Sequence, residues 1–261
     1  MSLGDFAYAN HSNRFLGAAS VHERPHTPFV LAGVPFDGAV TNRPGARFGP
    51  QAIRTASLML CDGIHPLFNV SPLAHVADAG DMRLPNASPL PEVRAHIERQ
   101  AAALMAQHHT VFLGGDHSVT LALLRAAKER FGNGEPLALV HFDAHCDTWV
   151  DNFGEPSGHG TWVAEAVAEG LVLPACFTQI GIRSAGERAA REHVTQRGGQ
   201  VFTARQLRGL ESPAQLQPVL QAIRSRLAEH GLGNRVRVGL VPDAVGTALE
   251  VVVLLPGGVE P

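Results

Sequence analysis

The sequence predicts an α/β protein in which a parallel sheet is covered by helices on both faces. Three observations carry this expectation: apolar runs of strand length alternate with stretches of helical period, the connections between them are short, and several runs stop abruptly at Gly, Asp or His. In sheets of this kind functional groups gather at the carboxyl ends of the strands. At 261 residues the chain can form one large domain or two small ones, with a substantial core in either case. No break in composition marks a boundary.

Residues 1–27 are polar, rich in His, Asn and Arg, and without steady periodicity, so they read as an irregular arm over the surface. Phe29–Gly33 is a core strand that feeds a long loop. Pro50 suits the first turn of the helix after that loop, where its missing N–H costs nothing, and Ala52, Ile53 and Leu58 provide an apolar face. The glycines and arginines of residues 41–54 mark either a place where a site is shaped or an ordinary surface loop with salt-bridged arginines. Ala74–Asp81 is a second strand. Pro91–Gln107 is a helix with Val93, Ile97, Ala101, Leu104 and Met105 on one stripe. The strand from Thr110 ends at paired glycines, and Ser118 is placed to cap a helix carrying Leu121, Leu124 and Phe131. A fourth apolar run, from Leu139, ends in Phe142-Asp-Ala-His-Cys-Asp147. Trp162, Val163, Ala166 and Val167 belong to a helix that Gly170 closes. Phe177–Arg183 and Gln200–Thr203 read as strands, and Ala185–Arg197 as a helix. Pro213–His230 is a further helix, with Leu216, Val219, Leu220, Ile223 and Leu227 at helical spacing.

Composition excludes several classes of function. With 45% apolar and 17% charged residues the chain is an ordinary globular protein, and a net charge of −3 gives no basis for nucleic acid or an anionic membrane as partner. Cys61, Cys146 and Cys176 are odd in number and widely spaced, which speaks against a disulfide framework and fits a reducing cytoplasm. The first twenty residues lack an apolar signal core, and the longest apolar run, Val251–Leu255, is too short to cross a bilayer. A soluble cytoplasmic protein is expected.

The chemistry concentrates at Asp143, His145 and Asp147. If the backbone stays extended, these alternate residues project to one side. Carboxylate oxygen with imidazole nitrogen suits manganese, iron or zinc; a polar loop after a strand is the plain alternative. His117 closes another strand and His159 sits in the loop Ser157-Gly-His-Gly-Thr161, both expected at the same end of the sheet. Cys146 lies one position out of phase and is expected to pack.

Taken together, Gly33-Val-Pro-Phe-Asp37, Arg43-Pro-Gly-Ala-Arg47, Gly49-Pro50 with Ala52-Ile-Arg54, Asp78-Ala-Gly-Asp81, Gly114-Gly-Asp-His-Ser118, Phe142-Asp-Ala-His-Cys-Asp147, His159-Gly-Thr161 and Gln179-Ile-Gly-Ile-Arg183 resemble the ureohydrolase family of arginases, agmatinases and guanidinobutyrases. The resemblance covers residues 28–230 and implies an α/β domain over 28–235, with 1–27 as an arm and 236–261 as a divergent tail. Its loops look closer to the agmatinase and guanidinobutyrase branch than to arginase. It implies a three-layer α/β/α fold, a homo-oligomer, and two Mn2+ ions held by His117, Asp143, His145 and Asp147, with Asp143 bridging. Two such cations would lower the pKa of a shared water for attack on a guanidinium carbon, releasing urea and an amine. Asp147 would also orient the nucleophile, and His159 would carry a proton to the leaving amine.

The resemblance stops where the family continues with a strand ending in Ser-x-Asp-x-Asp-x-x-Asp-Pro. Here residues 235–247 place Val241 at the bridging aspartate and Asp243 at the next ligand, and valine has no lone pair for a metal. Pro242 also removes a ladder donor. The expectation is a frame that is truncated or shifted after residue 235, with divergence as the alternative. Three functions follow: an active guanidino hydrolase, an impaired ureohydrolase-like protein that binds metal weakly, or a related amidine hydrolase such as a formimidoylglutamate hydrolase.

Overall fold

The computed structural model describes residues 13–60, 63–66, 68–150, 153–210 and 212–232, and beyond these the backbone of four short strands between 236 and 254. The chain divides into two compact units, Met1–Arg130 with Val150–Trp162, and Phe131–Trp149 with Val163–Pro261. Each unit is assembled from separate stretches of chain, so no contiguous change of composition announces it.

The first unit is built on three parallel strands in the order β2-β1-β3: β1 (Phe29–Val34), β2 (Val76–Asp81) and β3 (His109–Gly114). Val30 to Val34 of the central strand are all buried, which is why this stretch reads as an unbroken apolar run rather than an alternating one. Helices α1 (Gly49–Ser57), α2 (Leu90–Met105) and α3 (Val119–Ala127) accompany the sheet. The α2 stripe of Val93, Ile97, Ala101, Leu104 and Met105 is buried as its spacing requires, and α2 packs against α3.

Helix α1 departs from the expected apolar face. Ile53 and Leu58 are 42% and 47% exposed, and the buried face is made of Pro50, Arg54 and Ser57. A guanidinium can occupy a core position only when its charge and donors are met. Arg54 meets both: Nε and Nη2 form a fork on the carboxylate of Asp78 at 2.8 and 2.9 Å, and Nη1 donates to Asp81. The same Asp78 accepts from the backbone N–H of Phe15 at 2.9 Å, and Ser57 Oγ accepts from Leu16 N at 2.8 Å. The described part of the amino-terminal arm is docked: Ala18 and Val21 are buried and Ser20 bridges to Asp78. Ser118 also differs from expectation. Its side chain makes no capping bond to α3 and donates instead to Asp116, whose carboxylate accepts the Ser118 N–H at 2.9 Å.

The second unit repeats the plan with parallel strands in the order β4-β5-β6: β4 (Leu137–Phe142), β5 (Val172–Ile182) and β6 (Gln200–Thr203). Its helices are α4 (Trp162–Ala168), α5 (Arg188–Arg191), α6 (Ala204–Leu207) and α7 (Pro213–Glu229). Leu220, Ile223 and Leu227 of α7 close over Cys176 and Ile180 of β5. The start of α7 is set by a capping box in which the side chains of Ser212 and Gln215 exchange bonds with each other's backbone N–H. The helix expected over Ala185–Arg197 shrinks to the single turn α5 and a 3-10 turn at Thr195–Arg197. Only Ala190 and Val194 are buried in that stretch, too small an apolar face to hold a longer helix.

Beyond residue 232, β7 (Val236–Arg237) pairs antiparallel with β10 (Val253–Leu254), and β8 (Leu240–Pro242) with β9 (Thr247–Leu249). Asp243 and Cys61 lie outside the described residues. Cys146 and Cys176 are free and buried, and no helix among the described residues is long and apolar enough to cross a membrane.

Candidate metal centre

Extended backbone in β4 ends at Phe142, so alternation places His141 and Asp143 on one side of the chain. The chain then turns. Asp147 has a left-handed φ of 52°, and its carboxylate reaches the pair from this turn rather than by continuing the strand. A ring nitrogen of His141 and carboxylate oxygens of Asp143 and Asp147 lie within 4.8 Å of one another. The alternation expected of positions 143, 145 and 147 is thereby corrected: it operates one step earlier. His145 is 60% exposed and stays beside the trio, its backbone N–H donating to Asp143 Oδ1 at 2.8 Å and its Nδ1 3.2 Å from the same oxygen.

The turn is held by the end of β5. Asp143 N donates to Ile180 O at 3.1 Å, and the N–H groups of Arg183 and Ser184 both donate to Ala144 O at 2.9 Å. Gly181 has a φ of 93°, and a Cβ there would stand 3.2 Å from Asp143 O, so a side chain would strain both the strand and the turn. On the other flank Val163 N donates to Asp147 O at 3.0 Å. Cys146 is 1% exposed and packs inside, although the alternation that predicted this does not operate in the turn. Two buried polar residues here, His141 and Gln179, stand outside the expected set of site residues. Gln179 places its amide nitrogen 2.8 Å from Cys146 O and 3.1 Å from His141 Nδ1. Its signal lay in a largely apolar strand, where a buried amide requires partners.

The first unit positions the remaining expected residues. His117 follows β3 and its ring centroid lies 4.8 Å from that of Trp162. Gly115, at φ 65°, lets the chain pass so close to the loop after β1 that a Cβ would sit 2.8 Å from Phe36 O. Asp116 is buried and accepts the Ala39 N–H at 2.9 Å, while Ala39 O accepts from His159 N at 3.2 Å. The Nε2 of His159 accepts from the Thr41 N–H at 3.3 Å. His159 is thus seated on the loop that carries Arg43-Pro-Gly-Ala-Arg47.

That loop is anchored by Asp37, which is buried and accepts from the guanidinium of Arg47 and, at 2.6 Å, from Gly45 N. The Arg47 hydrogen bond, aided by the two backbone donors, holds the Asp37 carboxyl below the usual carboxylate range. A carboxyl depressed on folding adds stability above its unfolded value of about 3.9, and that stability is lost as pH falls through the folded value. Asp37→Asn is expected to lower the melting temperature at neutral pH and to narrow its difference from the parent chain at strongly acid pH. Thermal scans across the acid range check this.

The family model of the arginase family matches residues 27–232. The chain belongs to this family. It is 42% identical over 161 residues to an agmatinase of Chromobacterium violaceum, covering 59% of this chain and 48% of that protein. It is 36% identical over 201 residues to the proclavaminate amidinohydrolase of Streptomyces clavuligerus, covering 74% of this chain and 63% of the relative. A solved structure of proclavaminate amidinohydrolase from Streptomyces clavuligerus aligns with a TM-score of 0.71 and 31% identity, over 82% of this chain and 70% of its own. A hypothetical agmatinase from Burkholderia thailandensis gives 0.70 and 32%, over 81% and 64%. These likenesses show the three-layer α/β/α arginase-family fold expected from the sequence. The chain spans about half to two thirds of the length of these curated relatives.

Proposed function

We propose that this chain carries the chemistry of a manganese-dependent hydrolase of guanidino compounds, of the agmatine or 4-guanidinobutyrate class, releasing urea and an amine. The observation that carries the reading is the convergence of Asp143 and Asp147 in one pinned turn of a chain that belongs to the arginase family. Two carboxylates with imidazoles nearby suit a hard or borderline divalent ion, and the buried Cys146 thiol is not among the trio's donors. In this reading the residues that the family resemblance names, His117, Asp143, His145 and Asp147, would hold the ions. Bound manganese would supply Lewis acidity and lower the pKa of water at the site. Asp147 orients the attacking water, and His159, fixed by the loop at Ala39 and Thr41, passes a proton to the leaving amine. A cytoplasmic homo-oligomer belongs to the same proposal.

Urea release from a panel of guanidino compounds in the presence of Mn2+ tests it. Agmatine or 4-guanidinobutyrate is expected to yield urea, and His159→Asn to slow turnover about 10²- to 10⁴-fold with Mn2+ binding unchanged. Metal binding without urea from any compound would contradict the reading and leave a binding protein.

A further inference from the structure

The geometry points to His141 as a positioning residue that donates to Asp143 from Nε2 and does not ligate metal, with Gln179 enforcing that role. Cys146 O can only accept, so the Gln179 group 2.8 Å from it must be the amide nitrogen. The same nitrogen lies 3.1 Å from His141 Nδ1, and an N–H group cannot meet another N–H there. Nδ1 must therefore present its lone pair, and the ring proton belongs on Nε2. That nitrogen faces Asp143 Oδ2 at 3.4 Å. The relay is rigid: Gln179 and His141 are 1% and 5% exposed, and the imidazole stacks on Phe177 with centroids 6.3 Å apart.

The consequence is a division of labour within the trio. His141 spends its Nε2–H on one carboxylate oxygen and has no lone pair left for an ion. Asp143 is held from both sides, by His141 at Oδ2 and by the His145 N–H at Oδ1. The effect on catalysis rests on the function proposed above; the tautomer does not.

The test uses the full chain labelled with nitrogen-15 histidine, whose long-range nitrogen–proton spectrum reports which ring nitrogen carries the proton. His141, identified by the signal missing in His141→Gln, is expected in the Nε2–H form before and after titration with diamagnetic Zn2+. An Nδ1–H form, or loss of the Nε2 proton on Zn2+ binding, would overturn the inference. In parallel, Gln179→Met and His141→Phe are expected to weaken Mn2+ binding about 10- to 100-fold, as removal of an outer partner of a ligand does, and His141→Gln to restore part of it through its amide donor. Unchanged affinity in Gln179→Met and His141→Phe would refute the positioning role. Failure of the parent chain to bind Mn2+ at all would instead strike the function proposed above, and the spectrum would still decide the tautomer.

Discussion

Asp147→Asn is expected to abolish urea release and, in the metal-free chain, to raise the melting temperature. Asp147 is 4% exposed, and its carboxylate lies within 4.8 Å of the nearest ligand atoms of Asp143 and His141. Two carboxylates so close repel without a cation between them, and a buried charge is costly to desolvate, so the amide relieves the fold. The same change removes a ligand that resemblance assigns to the ions. The loss of activity should exceed the about 10- to 100-fold cost of losing an outer partner. Opposite movements of stability and function mark a group retained for chemistry. Urea assay and thermal unfolding of one variant measure both.

The second large effect concerns stability alone. Arg54→Leu is expected to cost about 3–5 kcal/mol, because it leaves the buried carboxylate of Asp78 without its counter-charge. Arg54 and Asp78 side chains are 5% and 1% exposed, so water does not take over the role of the guanidinium. Joint replacement of Arg54 and Asp78 by apolar residues of similar volume should recover part of the loss, since the pair is removed together. Denaturant unfolding of the single and double variants checks both statements. The amino-terminal arm should loosen in the single variant, because Asp78 also holds the N–H of Phe15.

These two cases show what could be read from residues alone. The parallel strands and the main helices follow from periodicity, because a stripe such as that of α2 has only one way to be buried. Arg54 was legible as part of a motif but not as a core residue: helical spacing favoured Ile53 and Leu58, and only the placement of Asp78 and Asp81 shows that a charge is compensated inside. At the candidate metal centre the residue types were legible and their geometry was not. Alternation is a property of extended chain, and the chain leaves that conformation after Phe142. His141, two residues before Asp143, therefore joins the trio while His145 stands outside it. Gln179 acts across strands, from β5 to the end of β4, and such pairing is invisible until the register is known.

Titration of the metal-free full chain with Mn2+, followed by calorimetry, tests the central claim most directly. The parent chain is expected to bind Mn2+ saturably, and Asp143→Asn, with its fold verified by circular dichroism, to lose that binding. A parent chain that binds no Mn2+, or an Asp143→Asn variant that binds it equally well, would contradict the assignment of this turn as a metal centre.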